Sequence, residues 1–223
     1  MKYYAVRTGR DTGIFTTWAE CAAAVRGYSG AVFKSFEDEA AAKDFLLQAQ
    51  EPAPIKEGLP FAYIDGTFSK TRGVYGWGGF ICDAGKYYII QGTGDTEKYR
   101  DERNIAGELL GALNVLWTAQ RLGIKELNLF ADLAGIKYWK TREWKANTPL
   151  TQYYRDMTDL MNEYVTANVF LIKGHTGIEG NELADLLAKD AIGAKITKKA
   201  AAQLAEFRQQ AQNGTNGRND TRN

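Results

Sequence analysis

The sequence is poor in the residues and segments that define several large classes of protein. Its 223 residues include only 2 cysteines, Cys21 and Cys82, too few for a disulfide-stabilised scaffold or a structural zinc site. No stretch approaches the ~20 apolar residues that a membrane-spanning helix needs. The N-terminus MKYYAVRTGRD also lacks the apolar segment of a signal peptide. We therefore expect a cytoplasmic protein that makes no contact with membranes.

The sequence also has no excess of charge of either sign. The 28 basic and 27 acidic residues give a net charge of +1, which excludes a globally basic nucleic-acid-binding protein. Any affinity for nucleic acid must therefore come from local clusters of cations. Hydrophobic residues make up 44% of the chain and charged residues 25%, which predicts one substantial core and a second, smaller unit.

The sequence does contain four acids in largely apolar surroundings. Asp65 interrupts the predicted strand FAYIDGTF, where an unpaired carboxylate is costly to bury. Glu108 lies in the amphipathic run GELLGALNVLW, Asp132 ends the strand LNLFAD, and Asp185 lies in NELADLLAKDA. Singly, they also fit a turn or cap acid, a solvated helix acid, or the i,i+4 partner of Lys189. Together they suggest a metal site.

Residues 1–47 predict a small unit of ββαβα type. Its strands are YYAVR, IFTTW and AVFKSF, and its helices are AECAAAVRG and EDEAAAKDFLLQ. Basic and aromatic side chains are concentrated on or beside the strands, which suits stacking on sugars or bases and binding of phosphates. An ordinary aromatic core is the alternative, because a unit of this length has little else to bury.

Two segments are predicted to lie outside the cores. Residues 48–60 contain three of the 4 prolines and little apolar periodicity, which predicts a linker. Residues 195–223 predict a basic, partly disordered tail, because the last eleven residues have no apolar side chain. A solvated tail is favoured over a contact with nucleic acid.

Residues 61–194 predict an α/β domain. The runs FAYIDGTF, YGWGGFIC and KYYIIQGTG form an antiparallel meander. A helix follows at 103–121, then the strand ELNLFAD, the helix AGIKYWKTREW, a helix at 151–164, the strand NVFLIKG and a helix from about Asn181. This order predicts a mixed five-stranded sheet flanked by helices. Asp132 ends one parallel strand and His175 follows another, at the sheet edge where ligands collect.

The segment KYWKTREWKAN, residues 137–147, alternates tryptophans with cations. One interpretation is a nucleic-acid contact, in which lysines bind phosphates and tryptophans line the DNA strand. The other is an amphipathic helix with tryptophans in the core and solvated charges. Both stay open for Trp139, Lys140, Trp144 and Lys145.

The string KYYAVRTGRDTGIFTTWAECAAAVRGYSGAVFKSF resembles the hybrid-binding, or viroplasmin-like, domain at the N-terminus of many ribonucleases H. The resemblance covers almost all of the first unit and implies binding of RNA–DNA hybrid or double-stranded RNA. It assigns DNA-strand stacking to Trp18 and Phe33, with Lys34 beside them. Many relatives have a second lysine where this chain has Ser35.

The motifs YIDGTF, RNIAGEL, LFAD and KGHTGIEGNELAD are similar, in order and spacing, to those of the ribonuclease H catalytic domain, from residue 61 to about 193. The resemblance implies a mobile catalytic histidine at His175 and a contact of Asn104 with RNA 2′-hydroxyls. The chain departs from most relatives after Asp132, where Leu133 stands in place of a serine. Four acids are implied to act in catalysis and to bind two Mg²⁺ ions, with Mn²⁺ as an alternative: Asp65, Glu108, Asp132 and Asp185.

The sequence thus predicts a monomeric two-domain ribonuclease H that cleaves the RNA strand of RNA–DNA hybrids by two-metal hydrolysis and leaves 5′-phosphate and 3′-hydroxyl ends. A first alternative is a nuclease of the same superfamily that acts on DNA, such as an integrase or resolvase. Asn104 and the N-terminal unit disfavour it. A second alternative is a protein that binds hybrids or double-stranded RNA without cutting, which the complete set of four acids disfavours.

Overall fold

The structure is a computed structural model that describes residues 2–28, 31–47, 55–95, 97–174 and 177–216. The chain divides into two units, Met1–Pro54 and Ile55–Asn223. None of the helices among the described residues combines the length and the apolar character needed to cross a membrane.

The first unit is a three-stranded antiparallel sheet with two helices, as the sequence predicts. Its elements are β1 (Tyr3–Thr8), β2 (Gly13–Phe15), α1 (Trp18–Val25), β3 (Val32–Phe36) and α2 (Glu39–Leu47), with sheet order β2-β1-β3. Thr17 starts α1, because its side chain accepts the Glu20 N–H while the Glu20 carboxylate accepts the Thr17 N–H. Val6, Cys21 and Ala24 form the small core.

The second unit contains the predicted mixed sheet of five strands. They are β4 (Phe61–Ser69), β5 (Val74–Asp83), β6 (Lys86–Gly94), β7 (Glu126–Ala131) and β8 (Thr166–Leu171), in the order β6-β5-β4-β7-β8. β4, β5 and β6 form the antiparallel meander. β7 runs parallel to β4, and β8 runs parallel to β7.

Helices cover both faces of this sheet. They are α3 (Glu97–Arg100), α4 (Asn104–Leu122), α5 (Ala134–Lys140), α6 (Pro149–Met161), α7 (Glu179–Ala191) and α8 (Lys198–Asn216). Ile81 belongs to the apolar cluster formed with α4, and its neighbour Phe80 to the cluster formed with α7 and α8. Because adjacent residues of a strand point to opposite faces, these two clusters lie on opposite sides of the sheet.

Within the tail predicted from residue 195, residues 198–216 form a helix, α8. Leu204, Phe207 and Ala211 are buried, and their spacing makes an apolar stripe along one side of the helix. The Phe207 ring lies 5.0 Å from that of Phe80 and 5.2 Å from that of Tyr87. Burial of this stripe holds the helix on β6 and α7. Residues 217–223, the rest of the predicted disordered segment, lie outside the described residues.

The second half of the predicted linker is held against the sheet. The Asn128 side chain donates to the Lys56 carbonyl at 2.8 Å, and the Asn128 N–H donates to the Pro60 carbonyl at 2.9 Å. Lys56 also forms an ion pair with Glu126. Residues 55–60 therefore belong with β7, while residues 48–54 of the predicted linker lie outside the described residues.

The helix predicted over AGIKYWKTREW is shorter than expected. α5 ends at Lys140 because Arg142 has a φ of 63°, which a right-handed helix does not allow. The chain then turns back, and the Trp144 N–H donates to the Tyr138 carbonyl at 3.0 Å. Trp144 is thereby placed beside α5.

Candidate metal centre

Asp65 lies in the middle of the sheet because β4 is a central strand. It pairs with Gly78 of β5 and is only 7% exposed. The Gly66 N–H donates to one Asp65 carboxylate oxygen at 2.7 Å. A single neutral donor compensates only part of the cost of burying a carboxylate. A bound cation would therefore offset the remaining cost of burying the Asp65 carboxylate.

Glu108 reaches Asp65 because α4 lies directly on β4. A Cβ atom at Gly66 would come within 2.4 Å of the Glu108 backbone nitrogen, and one at Gly107 within 2.1 Å of the Gly76 carbonyl oxygen. Only glycine permits this approach at either position. Glu108 is 4% exposed, and among the described residues its Oε2 has no hydrogen-bond partner.

Asp132 completes the group from the carboxyl end of β7. One carboxylate oxygen from each of Asp65, Glu108 and Asp132 lies within 4.8 Å of the other two. Gly174, which follows β8, leaves room for Asp132, since a Cβ atom there would lie 2.4 Å from the Asp132 Oδ2. Three of the four predicted acids thus converge at the carboxyl end of β7, beside the middle of β4.

Asp185 lies on α7, on the other side of the sheet from α4. Helix α7 contacts β5 closely, because a Cβ atom at Gly78 would be 2.0 Å from the Ala188 nitrogen. Within the described part of the chain, Asp185 does not join the group of three. Its carboxylate accepts a hydrogen bond from Lys189, one turn later, at 2.6 Å.

Electrostatics in the cluster favour protonated acids when no cation is bound. Burial raises the pKa of Asp65 to about 7, and the charges of Asp132 and Asp185 contribute to this rise. Burial also raises the pKa of Glu108 well above its ordinary value, together with the charges of Asp132 and Asp65. A divalent cation would compensate these charges and restore the ionised forms.

The donor set fits Mg²⁺ or Mn²⁺. Both ions take hard oxygen ligands, and Mg²⁺ keeps several of its waters, so a few carboxylates suffice. The Glu108 Oε2, which has no hydrogen-bond partner in the described part of the chain, is a buried acceptor that a cation would satisfy. The cluster is therefore a candidate metal centre of Asp65, Glu108 and Asp132, with Asp185 beside it.

Two further predicted residues relate differently to this centre. Asn104 is the first residue of α4 and is exposed, one helical turn before Glu108 on the same side of the helix. It therefore lies at the rim of the cluster. His175 lies outside the described residues, and its role stays a prediction.

The aromatic residues predicted in the first unit form an exposed surface. Trp18 is 54% exposed and Phe33 is 36% exposed, with ring centroids 6.0 Å apart. Lys34, the next residue of β3, is exposed on the opposite face of the sheet, with its ammonium 5.5 Å from the Phe36 ring. Tyr4 extends the group, since its ring centroid lies 5.8 Å from that of Trp18. The alternation of side chains along a strand is the feature of the sequence that places Tyr4 on this face. We name Tyr4, Trp18 and Phe33 the aromatic surface.

The segment at 137–147 is partly packed. Trp139 contacts the main core cluster, and its ring lies 5.4 Å from that of Trp144. Lys140 is half-buried, and burial lowers its pKa, whereas Lys145 is exposed. The tryptophans thus pack at least in part, as the second interpretation predicts. A nucleic-acid contact by Trp139, Lys140, Trp144 and Lys145 stays a prediction.

Two families of known proteins match this chain. The family described as RNase H matches residues 60–193, and the family described as Ribonuclease H1 N-terminal domain matches residues 2–46. The fold of the second unit and its acidic cluster agree with the RNase H match. The Ribonuclease H1 N-terminal domain match covers the three-stranded first unit. The chain belongs to the ribonuclease H family and joins its enzyme domain to the N-terminal domain of ribonuclease H1.

Individual relatives resemble the chain over different lengths. It is 26% identical to Ribonuclease H1 of Mus musculus, in a match that covers 86% of this chain and 89% of the mouse protein. It is 54% identical to Ribonuclease H of Saccharomyces cerevisiae over 46 residues, which are 21% of this chain and only 13% of the yeast protein. The crystal structure of RNase H1 from Halobacterium salinarum shares the fold, with a TM-score of 0.51, 21% identity, and coverage of 60% of this chain and 98% of that one.

Proposed function

We propose that this ribonuclease H hydrolyses the RNA strand of RNA–DNA hybrids with divalent ions held by Asp65, Glu108, Asp132 and Asp185. The observation that carries the proposal is the convergence of three carboxylates, with one oxygen of each within 4.8 Å of the others, together with the buried Glu108 Oε2, which has no hydrogen-bond partner among the described residues. Such an arrangement is costly to keep in a fold unless a cation occupies it. Mg²⁺ is the proposed ion and Mn²⁺ the alternative.

The reaction is the in-line hydrolysis of a phosphodiester. When bound, two divalent ions supply activation of the attacking water and stabilisation of the leaving oxygen. The water oxygen bonds to phosphorus while the bond from phosphorus to the 3′ oxygen breaks. A proton then reaches the leaving oxygen, so the products are a 3′-hydroxyl and a 5′-phosphate. His175, between β8 and α7 in the chain, is proposed to move that proton or to assist product release.

Residues outside the acidic cluster are proposed to recognise the RNA–DNA hybrid. Asn104 is proposed to contact RNA 2′-hydroxyls, the group that separates RNA from DNA. Its exposed place at the start of α4, one turn before Glu108, supports this role. Trp139, Lys140, Trp144 and Lys145 are proposed to support the DNA strand, chiefly through the exposed Lys145.

The first unit is proposed to bind the same hybrid through the aromatic surface, and to bind double-stranded RNA as well. Exposed rings can stack on sugars or bases, and Lys34 can contact a phosphate. Because both units belong to one chain, binding by the first raises the local concentration of hybrid near the second. A monomer suffices for this arrangement. The cytoplasm stays a prediction from the sequence.

A cleavage assay tests the proposal against its alternatives. Labelled RNA–DNA hybrid, RNA duplex and DNA duplex are incubated side by side with the protein, in Mg²⁺ and in EDTA. We expect cleavage of the RNA strand of the hybrid alone, and only in Mg²⁺. Cleavage of the DNA duplex would favour the integrase or resolvase alternative, and binding of the hybrid without cleavage would favour a protective binding protein.

A further inference from the structure

Asp185 differs from the other three acids in having a cationic partner. Its carboxylate lies 2.6 Å from the Lys189 ammonium, and the two side chains are 21% and 40% exposed. Among the described residues, the other three acids form the close group, and Asp185 stands outside it. The fourth acid of the proposed site is therefore bound to a lysine and not directed into the cluster.

Asp185 and Lys189 are nevertheless close enough to influence the cluster. Asp185 raises the pKa of Asp65 and Lys189 lowers it, so both charges act on the central acid. Lys189 also lines an open cavity of about 430 Å³ between the β4–β5 turn and the end of α7, with Arg72 and Lys195. This side of the site is cationic, whereas the cluster is anionic.

The backbone of α7 leaves little room for a movement that would change this pairing. A Cβ atom at Gly78 would lie 2.0 Å from the Ala188 nitrogen, and one at Gly76 would lie 2.5 Å from the Ile192 side chain. The helix is therefore packed directly on β5. Asp185 can exchange partners by rotating its side chain, which needs only a change of rotamer.

We propose that Lys189 is a positioning residue that competes with the divalent ions for Asp185, and thereby sets the concentration of Mg²⁺ at which the site fills. This inference rests on the proposed function of the cluster. With Lys189 in place, binding of an ion to Asp185 must first break the ion pair. Without Lys189, the carboxylate is unpaired and a positive charge is removed from the neighbourhood, so both effects favour the ion.

The test is Mg²⁺ binding to the protein alone, measured by calorimetry. An ion pair this exposed stabilises by no more than ~1 kcal/mol, so we expect Lys189→Gln to tighten Mg²⁺ binding about threefold to fivefold. The half-saturating Mg²⁺ concentration for hybrid cleavage should fall by the same factor. Lys189→Arg keeps the pair and should stay within about twofold of the wild type.

A matched control comes from the first unit, where Lys43 and Glu39 form an i,i+4 ion pair at 2.8 Å. Lys43→Gln removes the same kind of pair from a unit that carries none of the four acids and should leave Mg²⁺ affinity unchanged. Thermal unfolding checks that each variant is folded. Unchanged or weaker Mg²⁺ binding by folded Lys189→Gln would overturn the inference.

A double-mutant cycle shows whether Lys189 acts through Asp185. In an Asp185→Asn background, Lys189→Gln should bring a clearly smaller gain in Mg²⁺ affinity, because the carboxylate in competition is gone and only the loss of the positive charge remains. The same gain in both backgrounds would mean a general charge effect and would refute the positioning role. Wild-type protein that neither binds Mg²⁺ nor cleaves hybrid would overturn the proposed function itself, whereas binding and cleavage with no effect of Lys189→Gln would overturn only this inference.

Discussion

The two candidate sites of this protein are built in opposite ways. The aromatic surface consists of side chains left on the outside, with Trp18 54% exposed and Phe33 36% exposed. The acidic cluster is largely buried, with Asp65 7% and Glu108 4% exposed and Asp132 half-buried. An exposed ring costs the fold little and remains free to contact a partner. A buried carboxylate costs the fold until a cation binds.

The difference implies opposite consequences of mutation. Removal of an acid should abolish the chemistry and relieve repulsion within the fold, as active sites that trade stability for function do. Removal of an exposed aromatic side chain should weaken binding and leave both chemistry and stability nearly unchanged.

Asp132→Asn should lower the rate of hybrid cleavage by roughly 10³-fold or more, because the site loses a charged ligand and several kcal/mol of transition-state stabilisation. Hybrid binding should persist, since the aromatic surface is untouched. Single-turnover cleavage in Mg²⁺ and fluorescence anisotropy with labelled hybrid measure the two quantities. Asp65→Asn should behave in the same way. Turnover near the wild-type rate in either variant would contradict the assignment of the acids.

His175→Ala should lower kcat by ~10²-fold with KM nearly unchanged, within the usual range for a general acid or base. The loss is partial because the acids still hold the ions and the histidine assists. Steady-state kinetics from pH 6 to 9 provide the measurement. A kcat equal to that of the wild type throughout this range would remove His175 from the mechanism, and a complete loss of activity would make its role equal to that of the acids.

The stability of the metal-free protein should depend on Asp65. Its pKa is about 7 in the fold, above the ~3.9 of an unfolded chain, so the folded state binds the proton more tightly. The resulting stabilisation is complete below the unfolded pKa and is lost as the pH rises through 7. Between pH 5 and 7 this loss is about 2 kcal/mol. The Asp65→Asn variant should not show this pH-dependent loss of stability.

Denaturant unfolding of the wild type and Asp65→Asn in EDTA, at pH 5, 6, 7 and 8, measures this dependence. The advantage of Asp65→Asn should grow with pH across this range. Addition of saturating Mg²⁺ should restore the stability of the wild type at pH 8, because ligand binding stabilises the folded state. A constant difference between the two proteins at all four values would contradict the raised pKa.

Trp18→Ala should weaken hybrid binding about tenfold, since stacking on one base is worth ~1–3 kcal/mol. The kcat on a short, saturating hybrid should not change, and neither should thermal stability. Tyr164→Ala is a suitable control, because Tyr164 is an aromatic side chain that is 43% exposed and lies outside the aromatic surface. Equal hybrid affinity of Trp18→Ala and the wild type across a salt series would contradict the proposed role of the first unit.

Much of the fold was predictable because its signals are local. Strands β4 to β8 follow from short apolar runs bounded by turns, and α4 follows from a long amphipathic run. The packing of other segments, such as α8, depends on partners far away in the chain. Helix α8 carries an apolar stripe at Leu204, Phe207 and Ala211 that a search for helical periodicity could have found. That it packs on Phe80 and Tyr87 could not be read from its own residues.

By itself, the sequence determined the identity of the acids, because each stands in a motif whose residue types and spacing are visible along the chain. Only the tertiary structure decided how the acids are used. Glycines at 66, 78 and 107 let α4 and α7 approach the sheet, and this approach buries Asp65 and Glu108 deeply enough to raise the pKa of both. The structure also separates Asp185, held by Lys189, from the three acids that meet. Distances and burial arise from packing between segments far apart in the chain, and charge interactions depend on both, so the sequence could name the candidate acids but not which of them meet.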